Sequence, residues 1–413
     1  MKLEVVTIGT ELLLGQILDT NAAELGRGLA AAGVEVVRHV SVADRPDAIR
    51  AAVAEALERT GFVITTGGLG PTRDDMTKRE VAALLGKALE MDAAVLRSLE
   101  ERFRRLGRPM PAVNRTQAEV PAGATVLPNP RGTAPGLWVE DGSRVVVMLP
   151  GVPSEMRGLL AEEVLPRLAA RTAGVVVRSR TVRTTGIAES ALAELVGAIE
   201  EEIAPLTLAY LPSTEGVELR VTAWGLREDE AERLLEAAAA QLRQRAGEHA
   251  YGEDGADLAA VVLDQLRGRK VRLVVAESCT GGVLSGRITA VPGASEVFIG
   301  GVVAYDNVVK SGTLDVPPEL LDQYGAVSEQ VVSAMAEGAQ RQFAADVALA
   351  VTGIAGPTGG TAEKPVGTVW LAARYRSESR ALKRMFPGDR NEIRARSAQA
   401  ALDLLRRLLV DKP

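Results

Sequence analysis

Val271-Arg272-Leu273-Val274-Val275-Ala276-Glu277-Ser278-Cys279-Thr280-Gly281-Gly282 passes from an apolar strand-like run through three nucleophile-type side chains to a glycine pair that opens a helix. Strand, turn and helix in that order place the turn at the end of an α/β sheet. Backbone N–H groups at such a turn can hold a phosphate or the oxyanion of an attacked carbonyl. The expected chemistry is acyl transfer on a phosphorylated substrate.

The only histidines are His39 and His249, and neither lies in residues 257–413. A local Ser-His-Asp triad is therefore impossible, and the base for a nucleophile here must be Lys, Tyr or a carboxylate. Lysine is scarce, eight against forty Arg, and Lys310 follows the strand-like run 297–304 in Tyr305-Asp306-Asn307-Val308-Val309-Lys310. A lysine whose pKa falls on desolvation can deprotonate a hydroxyl, so Ser278 with Lys310 and nearby Tyr305 is the leading set. The other reading makes Lys310 a solvated charge on a helix. Cys279, the one cysteine, excludes an intramolecular disulfide and is a rival nucleophile if the helix start lowers its pKa. Neighbours in an extended chain point in opposite directions, so Ser278 and Cys279 do not share the role.

Two further segments belong with this turn. The loop from Val351 to Thr368, which includes Thr352-Gly353-Ile354-Ala355-Gly356-Pro357-Thr358-Gly359-Gly360, lies between two apolar strands, and its glycines let main-chain amides approach a ligand closely. Pro387-Gly388-Asp389-Arg390-Asn391-Glu392-Ile393-Arg394 reads as a capped helix start with two guanidinium groups one turn apart, suited to a phosphate, or to surface ion pairs. Expected substrate contacts are Thr280, Gly281, Gly282, Thr352, Gly353, Gly356, Arg390 and Arg394. Together these segments resemble the C-terminal domain of the CinA family, the nicotinamide-nucleotide amidases, over most of residues 257–413. The resemblance implies hydrolysis of the carboxamide of nicotinamide mononucleotide to nicotinic acid mononucleotide and ammonia, with Ser278 as nucleophile beside Lys310 and Tyr305 and no cofactor. Asp306 departs from the small hydroxyl residue expected beside the Tyr, and adds a negative charge near Lys310.

The N-terminal part alternates strands (4–8, 34–37, 62–65) with helices (21–31, 47–59), the pattern of a doubly wound parallel sheet. Ligands of such sheets bind where strand ends meet helix starts. Gly9 to Asn21 and Thr65 to Thr77 fall there, and the Gly67-Gly68-Leu69-Gly70 turn can present amides to a phosphate. Asp74 and Asp75 would repel that phosphate unless a divalent cation (Mg²⁺, Mn²⁺ or Co²⁺) intervenes; helix capping is the competing role. Asp75, Asp44, Glu11 and Glu155 are the candidate metal ligands, and Asn21, Gly67, Gly68 and Gly70 the candidate substrate contacts. These segments resemble the molybdopterin-binding-like domain that precedes the amidase in full-length CinA proteins. Members either handle molybdopterin or, in CinA proteins, cleave ADP-ribose with a divalent metal.

The expected organisation is an N-terminal doubly wound domain (1–170), a small α+β connector of βαββα form (171–251), a linker from Gly252 to Asp257, and a C-terminal α/β amidase domain (257–413). Composition, 46% hydrophobic and 25% charged over 413 residues, is that of an ordinary globular chain with no apolar stretch near the ~20 residues of a membrane span. The acidic balance of −6 gives no global attraction to nucleic acid. A cytoplasmic homodimer acting on nicotinamide mononucleotide and ADP-ribose is the expectation. The alternative is a regulatory, competence- or DNA-damage-associated protein, or a molybdopterin-binding one, that only binds nucleotide.

Overall fold

The computed structural model describes residues 1–172 and 174–410. It divides into two compact units, Met1–Arg178 with Thr222–Leu234, and Ser179–Val221 with Leu235–Pro413.

The first unit carries β1 (Lys2–Ile8), β2 (Glu35–Val42), β3 (Phe62–Thr66), the short ribbon β4 (Leu89–Met91) with β5 (Glu119–Pro121), then β6 (Thr125–Leu127), β7 (Gly136–Asp141) and β8 (Arg144–Leu149). The main sheet has the order β2-β1-β3-β8-β7-β6. β1 pairs in parallel with β2 and β3, and β3 with β8. The hairpin β7–β8 and the pair β6–β7 are antiparallel, so the doubly wound sheet is mixed at one edge. Alternate residues feed opposite faces. Val5, Ile64 and Val147 pack with Leu25 and Leu29 of the helix Thr20–Ala31, while Val6, Val63 and Val146 pack with Ile49 and Val53 of the helix Pro46–Thr60. A sheet covered on both faces exposes only its ends to ligands.

The connector adds β9 (Val175–Thr184), β10 (Thr207–Pro212), β11 (Val217–Arg227) and β12 (Ala250–Glu253), in the order β10-β11-β9-β12. Helices Glu189–Val196 and Ile199–Glu202 follow β9, and Glu228–Ala246 follows β11. The expected βαββα pattern therefore gains a closing strand. Much of the expected linker is structured: Gly252 and Glu253 pair with β9, Asp254 accepts the Thr181 N–H at 3.0 Å, and Asp257 caps the next helix. Polar, glycine-containing composition hid two linker residues, Gly252 and Glu253, whose backbone completes a sheet edge.

The C-terminal sheet consists of β13 (Leu273–Glu277), β14 (Phe298–Val303), β15 (Val347–Gly353), β16 (Thr368–Tyr375) and β17 (Glu378–Met385), ordered β14-β13-β15-β16-β17. β13 is parallel to both neighbours; β15–β16 and β16–β17 are antiparallel. Leu273, Val275 and Leu349 pack under the helices Leu258–Arg269 and Arg390–Val410, while Val274, Ala276 and Ala350 meet the helix Glu329–Gln342 on the other face. Burying each large aliphatic side chain here contributes roughly 1.5–3 kcal/mol. Small residues line the second face, which lets that helix approach closely. Among the described residues no helix is long and apolar enough to cross a membrane.

The helix Glu329–Gln342 packs as closely on the end of the helix Asn307–Leu314, at Gly338. A Cβ there would lie 1.7 Å from the Leu314 carbonyl oxygen, although alanine is the better helix former by ~1 kcal/mol. Gly338→Ala is expected to destabilise the protein by about 1–3 kcal/mol, read as a lowered denaturation midpoint. An unchanged or raised midpoint would show that the two elements separate without cost.

Candidate active site

Glu277 is the last residue of β13 and is completely buried. Its carboxylate accepts the N–H groups of Gly282 (2.9 Å), Leu284 (3.0 Å) and Ser285 (2.8 Å) and the Ser285 hydroxyl (2.5 Å). Gly281 and Gly282 make this possible, because both have positive φ (56° and 96°) and fold the chain back over the strand end. The helix start is therefore not free for a ligand as the strand-turn-helix pattern predicts: the amides opening the helix Val283–Thr289 are occupied by Glu277.

The backbone N–H groups of Cys279 and Thr280 donate to no oxygen among the described residues, and both lie near the Cys279 sulfur. The Thr280 hydroxyl is fully buried without a partner. The Ser278 N–H donates to Val351 O at 2.9 Å, which fixes the turn to β15, and the Ser278 hydroxyl makes no hydrogen bond among the described residues. Ser278 itself is 8% exposed. Cys279 is held differently. Its sulfur packs against Gly353, where an added Cβ would come within 3.1 Å, and burial pushes the thiol up to about 12. At neutral pH Cys279 is a thiol, so the expected rival nucleophile lacks its reactive form.

Register explains how Lys310 reaches this turn. Glu277 pairs with Val303 of β14, so Ser278 emerges beside Ala304. Lys310, on the helix Asn307–Leu314, turns back to donate to Ala304 O at 2.9 Å and Tyr305 O at 3.1 Å. It is 1% exposed, so the solvated-charge reading does not hold. Burial lowers its pKa, partly opposed by the negative charge of Asp306, which also caps the helix through the Val308 N–H at 2.9 Å.

The two arginines hold the surrounding loops. Arg394 donates from Nε (3.0 Å) and Nη2 (2.8 Å) to Thr280 O; Arg390 donates to Gly356 O (2.6 Å) and to the exposed Tyr305 hydroxyl (2.7 Å). Asp389 caps their helix through Asn391 N–H and Glu392 N–H. Thr352 is buried and its hydroxyl donates to Ala326 O at 2.8 Å, a packing role. A cavity of about 390 Å³ lies between the Gly356 loop and this helix start, lined by Ala355, Pro357, Val366 and Arg390 among others.

In the N-terminal unit the glycine turn, Asn21 and Glu11 converge, whereas Asp75, Asp44 and Glu155 are each engaged elsewhere. Gly67 has φ 109° and approaches Ile8 so closely that a Cβ would lie 2.1 Å from its carbonyl oxygen. Gly68 packs on Thr77. Asn21 donates to Thr66 Oγ1 (3.1 Å) and Gly151 O (2.8 Å), leaving its own Oδ1 buried without a partner. Asn21, Thr66, Gly151 and Glu11 line a small cavity of about 90 Å³. Asp75 accepts from Gly70 N–H (2.7 Å), Thr72 N–H (2.9 Å) and the Thr72 hydroxyl. Asp44 accepts from Thr10 N–H at 2.7 Å and Glu155 from Asn129 at 2.6 Å. Among the described residues no three His, Cys, Asp or Glu side chains are placed to hold a metal ion. The expected four-carboxylate ligand set is thus corrected: Asp75, Asp44 and Glu155 each bind a different stretch of chain, and as placed the four do not fit a divalent cation.

Comparison with known proteins agrees with this architecture. Family models match residues 4–170 (probable molybdopterin binding domain), 179–252 (damage-inducible protein CinA KH domain) and 255–409 (CinA C-terminal domain). A CinA-like protein of Gemmatimonas aurantiaca is 53% identical over 411 residues, covering 98% of this chain and 96% of the relative. The chain belongs to the CinA family. A putative competence-damage inducible protein of Desulforudis audaxviator is 43% identical over 410 residues, covering 99% of each chain. The crystal structure of a competence/damage inducible protein from Agrobacterium tumefaciens is 41% identical, covering 37% of this chain and 93% of that one, with a TM-score of 0.36.

Glu277→Gln keeps the shape but turns an NH₂ toward donors. The expected cost is about 2–4 kcal/mol, since hydrogen bonds to a buried charged acceptor are the strong ones. Chemical denaturation measures it, and a loss below the error of the fit would remove Glu277 as the organiser of the turn.

Proposed function

We propose that the C-terminal domain is a serine amidase acting on a pyridine-nucleotide carboxamide, with nicotinamide mononucleotide as substrate, Ser278 as nucleophile and Lys310 as base. The observation that carries this reading is the seating of Lys310. A neutral amine has two N–H donors and one lone pair, and two carbonyls take both donors here. An ammonium would bring a third N–H to the same buried place. Burial favours the neutral form in the same sense.

In the proposed reaction Lys310 accepts the Ser278 proton as the hydroxyl oxygen attacks the carboxamide carbon. Cys279 and Thr280 N–H groups are the donors for the carbonyl oxygen as it gains charge. The proton then passes to the leaving nitrogen, ammonia departs, and water attacks the acyl-serine to release the carboxylate. Remaining guanidinium N–H groups of Arg390, beside the cavity under the Gly356 loop, suit the substrate phosphate. No step uses a metal.

Ser278→Ala and Lys310→Met are each expected to lower kcat for ammonia release by several orders of magnitude, with Cys279→Ala near wild type. Normal turnover in Ser278→Ala would end the assignment. Because the native Lys310 loses its proton below the pH at which an unfolded lysine does, kcat/KM rises with pH through that lowered pKa and then levels. The same difference makes this group's contribution to stability greatest above the ordinary lysine pKa, and lost as pH falls through the lowered value. A pH profile unaltered by a substitution at Lys310 that leaves activity measurable would remove it as base.

For the N-terminal domain we infer nucleotide binding at the Gly67–Gly70 turn, with ADP-ribose as the ligand to test. The unpartnered Asn21 Oδ1 beside that turn supports the reading, because a ribose hydroxyl or a base amine would satisfy it. Asp75→Asn converts two accepting oxygens into one and releases part of the Gly70–Thr72 loop. ADP-ribose affinity, by calorimetry, should fall at least about tenfold (~1.4 kcal/mol) while amide hydrolysis persists. Unchanged affinity would separate that loop from nucleotide binding. Hydrolysis of ADP-ribose in the presence of Mg²⁺, Mn²⁺ or Co²⁺ distinguishes an enzyme from a binding domain.

A further inference from the structure

A second cavity of the C-terminal unit lies on another face of the helix that bears Arg390 and Arg394. It is about 450 Å³ and is lined by the connector turns around Thr185 and Glu215, by β17, and by helix positions 396, 399, 400, 403, 404 and 407. Helical residues advance about 100° each, so Arg396 points some 200° away from Arg394. The cavity is therefore distinct from the one at the Gly356 loop.

Its charges are unequally satisfied. Asp403 accepts from Arg406 (3.0 and 2.7 Å) and from Arg407 (2.9 Å). Glu215 is paired with Arg183 at 2.9 Å. The side chains of Arg384 and Arg396 make no hydrogen bond or ion pair among the described residues; Arg384 is exposed at the rim, and the Arg396 Nε is buried without any partner. A buried N–H on a charged group costs free energy unless an acceptor meets it, and none among the described residues does so. The remaining wall is apolar, with Ile187, Leu382, Met385, Phe386 and Leu404. Two unpaired guanidinium groups match the oxygens of a phosphate monoester, and an apolar wall with an aromatic ring matches a planar base. The volume falls in the range of small-molecule sites, roughly 300–1,000 Å³.

We propose that this cavity is a second nucleotide site, in which Arg384 and Arg396 bind the phosphate of a nucleoside monophosphate whose base lies against Phe386 and Met385. The site also reaches the helix that follows the Ser278 turn. Gln399, on its wall, donates to Thr185 Oγ1 at 3.2 Å and accepts from Arg287 at 2.7 Å, and Arg287 lies on the helix capped by Glu277.

The test uses the full-length protein with AMP as probe and methyl resonances of Ile187, Met385 and Leu404 as local reporters. AMP should shift these methyls in wild type and in Arg390→Gln, and leave them in place in the doubly substituted Arg384→Gln/Arg396→Gln protein, with its unaltered spectrum elsewhere showing that it is folded. Methyls unmoved by AMP in wild type, or moved equally in the double variant, would overturn the proposal. Pyrophosphate that shifts them as strongly as AMP would overturn the nucleoside part and leave a bare anion site. Because Arg390→Gln alters only the site at the Gly356 loop, failure here is distinguishable from failure of the amidase reading.

Discussion

One buried carboxylate sets the geometry of the C-terminal site. Glu277 gathers three amides and a hydroxyl at the end of the central strand, an arrangement whose alternative is an uncompensated charge in an apolar core. Its hydrogen bonds hold the chain reversal at Gly281 and Gly282, and thereby fix where Ser278, Cys279 and Thr280 point. Arg394 closes the same turn from outside through the Thr280 carbonyl. The turn is held from two sides before any ligand arrives, which is the preorganisation that catalysis by fixed dipoles needs.

Lysine and arginine divide the positive charge of this region by their chemistry. Guanidinium groups stay protonated under all ordinary conditions and form planar, multi-donor contacts, and Arg390 and Arg394 accordingly act as braces between loops. A primary amine changes protonation state readily when it is buried. In a half-chain without histidine, Lys310 is a cation seated where desolvation brings its neutral form within reach.

The sheets, their flanking helices and the Ser278 turn were legible in the sequence because each depends on short-range pattern: apolar runs, glycine pairs and capping residues. The connector's closing strand was not. Ala250–Glu253 has neither length nor alternation, and becomes a strand only because β9 offers a free edge. Glu277 was hidden for a related reason. Its burial follows from the backbone reversal five residues later, and a lone glutamate after an apolar run reads equally well as the point where a strand meets water. The carboxylates expected to hold a metal failed in the opposite direction. Asp44, Asp75 and Glu155 have the right chemistry, yet each has a backbone or side-chain donor closer at hand than any common ion position.

Both domains build a ligand-facing turn from a strand end and glycines, and they place the stabilising acid on opposite sides of it. Glu277 precedes its glycines and binds the helix that follows them; Asp75 follows its glycines and binds the loop behind it. In each case the carboxylate's negative charge is directed into backbone amides rather than toward the site. What the two turns themselves present is then neutral: a serine hydroxyl and two amides in one domain, an asparagine oxygen and glycine backbone in the other, with charge supplied from beside them by Arg390 and Glu11. A carboxylate engaged in this way spends its charge on amides of its own chain, and does not direct it at a phosphate at close range. The acids organise both sites and are kept out of the way of the anions those sites are proposed to bind.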